Sequence, residues 1–183
     1  MTDVAKSVRR IVTIDNERGT SEVIADGPAP DMRSDPARPG FASARIWVTS
    51  SSPVGIGKFR DTIDLPHALA PPPQGSMCRI VTIPPDASWG RKVGKSEVAA
   101  FFQAMGSPHA STYAPSAPHP YMQKTRTLDF CLILDGEVTL VLDTEEVHLT
   151  AGDTVVQRGT NHAWSNRSDK PCRIAISSHD ARE

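Results

Sequence analysis

The chain has 183 residues, enough for one domain of ordinary size with a sizeable core, and its 38% apolar content is a little low for a globular protein. Its 20 basic and 21 acidic residues give a net charge of −1 and are spread along the chain, so electrostatics offers no basis for nucleic acid or an anionic membrane as partner. The amino-terminal MTDVAKSVRRIVTIDNERG holds no apolar run long enough for a signal peptide or a membrane span, and the expected location is cytoplasmic.

In chain order, Val8 to Ile14 and Ser21 to Ala25 read as two short strands turning at Glu17-Arg18-Gly19. Gly27 to Gly40 is a polar connection punctuated by proline, after which Phe41 to Thr49 alternates like a strand. Ser50 to Pro73 has no sustained period and reads as a surface connection. Met77 to Ile83 is the next predicted strand, stopped by Pro84-Pro85, which cannot donate to a ladder. The one convincing helix covers Glu97 to Met105, with Ser96 as the expected cap and Gly106 as the closing residue. Its Val98, Phe101, Phe102 and Met105 fall at helical spacing and should pack on the sheets.

The densest pattern lies at 118–166. Thr127 to Asp135, Glu137 to Asp143, Glu146 to Thr150 and Asp153 to Arg158 read as four consecutive strands, joined at turn-forming Asp135-Gly136, Asp143-Thr144 and Ala151-Gly152-Asp153. Cys172 to Ser177 supplies a last strand, and there is no internal repeat. Tightly connected antiparallel strands suit a closed barrel or a jelly roll, which leaves few exposed edges. Strand alternation puts Gln123, Thr125, Thr127, Asp129 and Cys131 on one side and Leu128, Phe130, Leu132 and Leu134 on the other. A carboxylate on the lumenal side of such a barrel is a site candidate; on the solvent side it is ordinary. Cys78, Cys131 and Cys172 are isolated and odd in number, which favours buried side chains over a zinc site.

These residues resemble the cupins. That family's first motif sets two histidines two apart, then an acidic residue, then six residues and a glycine; here Asp129 and Gly136 hold the last two places while Gln123 and Thr125 stand at the histidine positions. Its second motif begins with Gly-Asp and ends with His, three residues and Asn, matched by Gly152-Asp153, His162 and Asn166. The interval from Gly152 to His162 is one residue shorter than the common pattern, and Arg158 replaces the usual proline. The resemblance implies an all-β fold, a cupin jelly-roll β-barrel with extra amino-terminal strands and one short helix. Residues 1–183 would form one domain, with 76–183 as the core and 1–75 packing on it or exchanging with a second subunit, hence a homodimer.

The resemblance also implies a lumenal site. A cupin metal centre uses three imidazoles and a carboxylate; this chain offers Gln123, Asp129 and His162, a weak, oxygen-rich set better suited to iron or manganese than to zinc. Without a metal, Asp129 and His162 would meet within hydrogen-bonding reach as a general base and its orienting partner. The pair would move a proton on a small carbonyl or phenolic substrate, with Gln123, Thr125 and Thr127 fixing its oxygens, Trp164 stacking on it and Arg158 pairing with an anion. Each also has a structural alternative: Asp129 satisfying strand amides or hydroxyls, His162 bonding across a turn, Trp164 filling the barrel end. Similar single-cupin proteins accompany pathways that tailor polyketides or degrade aromatics. The function classes are therefore an oxidoreductase, isomerase or lyase on a small molecule, a binding module without turnover, and a dimerisation unit. An open polar lumen favours the first two; a filled one favours the third.

Overall fold

The structure is a computed structural model that describes residues 7–57, 60–62 and 64–182. Eleven strands are assigned among them: β1 Arg9–Asp15, β2 Ser21–Pro28, β3 Asp31–Ser34, β4 Ala42–Val48, β5 Ser76–Ile83, β6 Thr127–Asp135, β7 Glu137–Val141, β8 Glu146–Thr150, β9 Thr154–Arg158, β10 Ala163–Ser165 and β11 Cys172–Asp180. They form a six-stranded sheet in the order β3-β4-β5-β11-β6-β9, a three-stranded sheet β10-β7-β8, and a separate β1-β2 hairpin. The all-β expectation is met. The sheets face one another as in a jelly roll without joining into one continuous ladder, and the two larger ones enclose the core. Val81, Cys131, Ile133, Ile174 and Ile176 from the large sheet meet Val138, Leu140, Leu149 and Trp164 from the small one.

Two strands go beyond the sequence reading. β3 lies inside the polar connection of 27–40, where nothing alternates, and it forms because the free edge of β4 offers unpaired amides: Asp31 to Ser34 pair with Arg45 to Ala42. β10 is three residues long and pairs with β7. The segment 27–75 is thus tied in two ways. β3 and β4 extend the large sheet through β5, and buried Asp31 bonds Arg45 (2.6 Å) and His67 (3.1 Å). His67, which the sequence left without a role, secures this connection.

The single α-helix, α1, runs Lys95–Ala104 and buries Val98, Phe101 and Phe102, as its periodicity predicts. Its cap is corrected. Gly94 is the N-cap, its N–H held by the Glu97 carboxylate at 2.9 Å, while the Ser96 hydroxyl bonds Glu97 instead. Gly106 closes the helix as expected, at φ +64°, and a Cβ there would lie 1.9 Å from the His67 carbonyl oxygen.

The aromatic side of α1 surrounds a buried cation. The Arg38 guanidinium lies 3.5 Å from the Tyr121 ring centre, 4.2 Å from Phe41 and 4.4 Å from Phe101. Asp35 accepts from Arg38 Nε at 2.7 Å and from the Tyr121 hydroxyl at 2.9 Å. This cluster fastens the connection after β3 to the barrel mouth.

Asn166, the last residue of the second motif, is fully buried and works as a brace. Its amide donates to the carbonyls of Ile83 (2.9 Å) and Lys170 (2.7 Å), and its Oδ1 accepts from the Ser168 amide and hydroxyl. Replacement by alanine strands several of these groups, so Asn166→Ala should lower unfolding free energy by roughly 3 kcal/mol in urea titrations. A loss under about 1 kcal/mol would remove the bracing role.

Candidate functional site

β6 decides where the site lies. Thr127, Asp129, Cys131 and Ile133 are buried, whereas Phe130, Leu132 and Leu134 are exposed. The polar side predicted from alternation therefore faces the lumen, and the apolar side faces out. On the lumenal side Asp129 stands level with Ser178 of β11 and Gln157 of β9. All three are buried, and Asp129 Oδ1, Ser178 Oγ and Gln157 Oε1 each lack a protein partner. Unmet polar oxygens gathered at a carboxylate, one of them a serine hydroxyl that can donate, are unusual in a packed interior, where polar atoms are nearly always paired.

His162 enters from the short segment before β10. It lies opposite Gln123 in a two-residue antiparallel bridge, with mutual backbone bonds of 2.8 and 2.9 Å. This bridge brings together residues far apart in sequence and sets their side chains next to each other. His162 Nδ1 lies 2.9 Å from the Thr160 carbonyl oxygen, which only an N–H can satisfy, so Nδ1 carries the proton. Nε2 is then the acceptor, and Gln123 Nε2 donates to it at 3.2 Å. Burial holds the imidazole below its ordinary pKa; the Thr160 bond and the charge of Asp129 oppose that, and Arg79 adds to it. His162 is thus a neutral base of fixed tautomer.

Arg79, on the lumenal face of β5, was not singled out from the sequence. It is buried, donates from Nη1 to the Leu69 carbonyl at 3.1 Å, and leaves Nε without a partner. Burial lowers its pKa, and the nearby charge of Asp129 raises it. Cys131, one step along β6 from Asp129, has its thiol pushed up to about 12 by burial, with Asp129 adding to the effect. It is an inert buried side chain, not a thiolate ligand or nucleophile.

The remaining candidates divide. Trp164 is buried, with its ring centre 6.0 Å from that of His162. Thr127 is buried and bonded to Thr125 at 2.8 Å. Arg158 points outward, one residue beyond inward-facing Gln157, and lines an open groove with Lys124, Arg126 and Arg182. His119 packs edge-on against Trp89 at 5.8 Å and lies 3.7 Å from Asp86, away from His162.

The expected metal donors do not form a ligand set. Gln123 Nε2 already occupies the acceptor nitrogen of His162, and no group of three His, Cys, Asp or Glu among the described residues is placed to hold an ion. No step below is routed through a metal. Among the described residues no helix is long and apolar enough to cross a membrane.

Two facing sheets that enclose an apolar core together with several buried polar side chains define a small jelly-roll protein. Residues 110–178 match the family model described as Cupin domain, and the chain is a cupin-2-like protein. It is 33% identical over 128 residues to Phomopsin biosynthesis cluster protein C' of Diaporthe leptostromiformis, covering 67% of this chain and 51% of that protein. It is 44% identical over 50 residues to Oryzines biosynthesis cluster protein J of Aspergillus oryzae, covering 27% and 28%. The chain spans about half the length, or less, of the curated relatives it matches. The Schizosaccharomyces pombe Cnp3 cupin domain superposes with a TM-score of 0.44 at 11% identity, covering 94% of this chain and 87% of that one.

The lowered pKa of His162 has a thermodynamic consequence. The unfolded imidazole titrates near about 6.5 and the folded one lower, so between the two values the unfolded chain binds the extra proton. The contribution of His162 is complete above that pH and is lost as pH falls, by up to about 1.4 kcal/mol per unit. His67 shifts in the same direction, chiefly through burial. Urea titrations stepped downward from about pH 7.5 through the unfolded value should show a shallower decline in His162→Gln than in the parent chain. Equal slopes would mean that His162 is not held neutral.

Proposed function

We propose that the lumen is an acid–base site for a small carbonyl compound, within a small-molecule-processing cupin. The observation that carries this reading is the position of Gln123. On one side it bonds His162 Nε2, and on the other it lines an internal cavity together with Trp164 and Arg79. A ligand in that cavity needs only to displace the Gln123 amide to reach the basic nitrogen. His162 takes the proton at Nε2, the Thr160 carbonyl keeps the ring oriented, and the charge of Asp129 stabilises the imidazolium that forms. Trp164 forms a wall, while Thr125 and Thr127 line the separate open groove with Arg158, whose neighbouring cations draw an anion towards that end of the barrel. The names of the relatives, biosynthesis cluster proteins, support small-molecule work without fixing a reaction.

Proton abstraction can be read without knowing the net reaction. In deuterium oxide, NMR should show the protein speeding exchange of an activated C–H in at least one of a set of short keto acids and ketones. His162→Gln should lower that rate by about 100-fold or more and Asp129→Asn by about tenfold. Full activity in His162→Gln, or no acceleration with any member of the set, would end the acid–base reading.

A second reading, a homodimerisation role, rests on the outer face of the large sheet. Phe130, Leu132 and Leu134 of β6 and Val156 of β9 are exposed, and Phe130 stands level with Val156 across the ladder. A contiguous apolar sheet face is a place for a partner, and its continuity with β11 suits a second copy of the same face. Light scattering should give twice the chain mass for the parent protein and the monomer mass for a Phe130→Asp, Leu132→Asp variant. A parent chain that stays monomeric at micromolar concentration removes this reading.

A further inference from the structure

We infer that the internal cavity is an oxyanion site for a short carboxylic acid, held by Arg38, Arg79 and Trp164. The inference rests on the acid–base reading only in that both use the same lumen, and it names the ligand class that reading leaves open. The three side chains line one cavity. Each is buried and each carries an N–H that no protein acceptor meets: Arg38 Nη2, Arg79 Nε and Trp164 Nε1. Unpaired buried donors are costly, those on guanidinium most of all, and three around one space call for an acceptor with several lone pairs. A carboxylate meets that requirement; an amine or a metal ion does not.

The surroundings sharpen the choice. Arg38 is fixed by the Asp35 carboxylate and by the faces of Tyr121, Phe41 and Phe101, so its free edge is pre-oriented. Arg79 has one bond to a main-chain carbonyl and no ion pair within 4 Å, which leaves its charge uncompensated by direct contact. The cavity volume is about 50 Å³. A single water needs roughly 10–15 Å³, so the space holds about three to five waters, or a slightly larger number of covalently bonded heavy atoms, which sit closer together. That size admits acetate, glyoxylate or pyruvate and turns away an aromatic ring unless the walls move. A carboxylate held here also places its neighbouring carbon beside Gln123 and Trp164, the two residues that touch His162.

The test is binding without turnover. Isothermal calorimetry on the full chain with acetate, pyruvate, acetamide and benzoate should give millimolar or tighter dissociation constants for the two short acids. Acetamide and benzoate should bind at least about tenfold more weakly. Arg79→Met should weaken pyruvate by about tenfold or more, and Trp164→Phe, which removes only the indole N–H and part of one ring, by about three- to tenfold. If Arg79→Met does not fold, the acid-against-amide comparison on the parent chain and the Trp164→Phe variant decide the matter alone. Equal affinity for acetate and acetamide, or no measurable binding of either short acid, would overturn the proposal. Retained binding with no deuterium exchange in any variant sinks the base and spares the anion site, and exchange without acid binding does the reverse.

Discussion

Burying the polar side of β6 is the constraint on which the rest of the structure depends. A strand whose alternate residues are Thr127, Asp129 and Cys131 on one face and Phe130, Leu132 and Leu134 on the other would ordinarily put the second set inward. Here the first set is inside and the second is exposed. Desolvating a carboxylate is unfavourable, and a nearby uncompensated guanidinium reduces the penalty through space. Asp129 and Arg79 act on each other in this way, and both act on His162 in opposite directions. The imidazole therefore senses both charges, and removing Asp129 or Arg79 would move His162 in opposite directions.

The second consequence of that inversion is on the outside. A β6 that spends its polar residues on the lumen has apolar ones left for its outer face, so the site and the exposed patch have one cause. Neither can be redesigned alone. Moving polarity to the outer face by a one-residue slip of β6 would also drive Phe130 and Leu132 into the space now lined by Asp129, Gln157 and Ser178.

The amino-terminal connection supplies the other half of the lumen. Arg38 reaches the cavity from a segment that looks, residue by residue, like surface loop, yet it is among the most buried charged groups of the chain. Asp35, Tyr121 and the aromatic face of α1 make that burial tolerable by meeting the guanidinium with a carboxylate at its edge and rings on its faces. The cupin segment matched at 110–178 thus supplies His162, Gln123 and Asp129, while the two arginines that line the cavity come from upstream of it.

Much of this was legible in the order of residues alone. Period-two alternation fixes β5, β6 and β11, and the Asp-Gly and Gly-Asp turns fix their neighbours, because each depends on local geometry. Asp129 and His162 stand out for the same reason, through their spacing to Gly136 and Asn166. The three-residue β10, the edge strand β3, the cap at Gly94 and the binding role of Arg79 and Arg38 are not local. β3 exists only because β4 leaves an edge open, and an arginine reads as solvated until the chain folds a carboxylate and aromatic rings around it. The sequence by itself settled the longer strands and picked out Asp129 and His162. The tertiary structure alone decided which face of β6 is inside, and with it that His162 is bonded to Gln123 rather than to Asp129, since burial and long-range charge belong to no single segment of the chain.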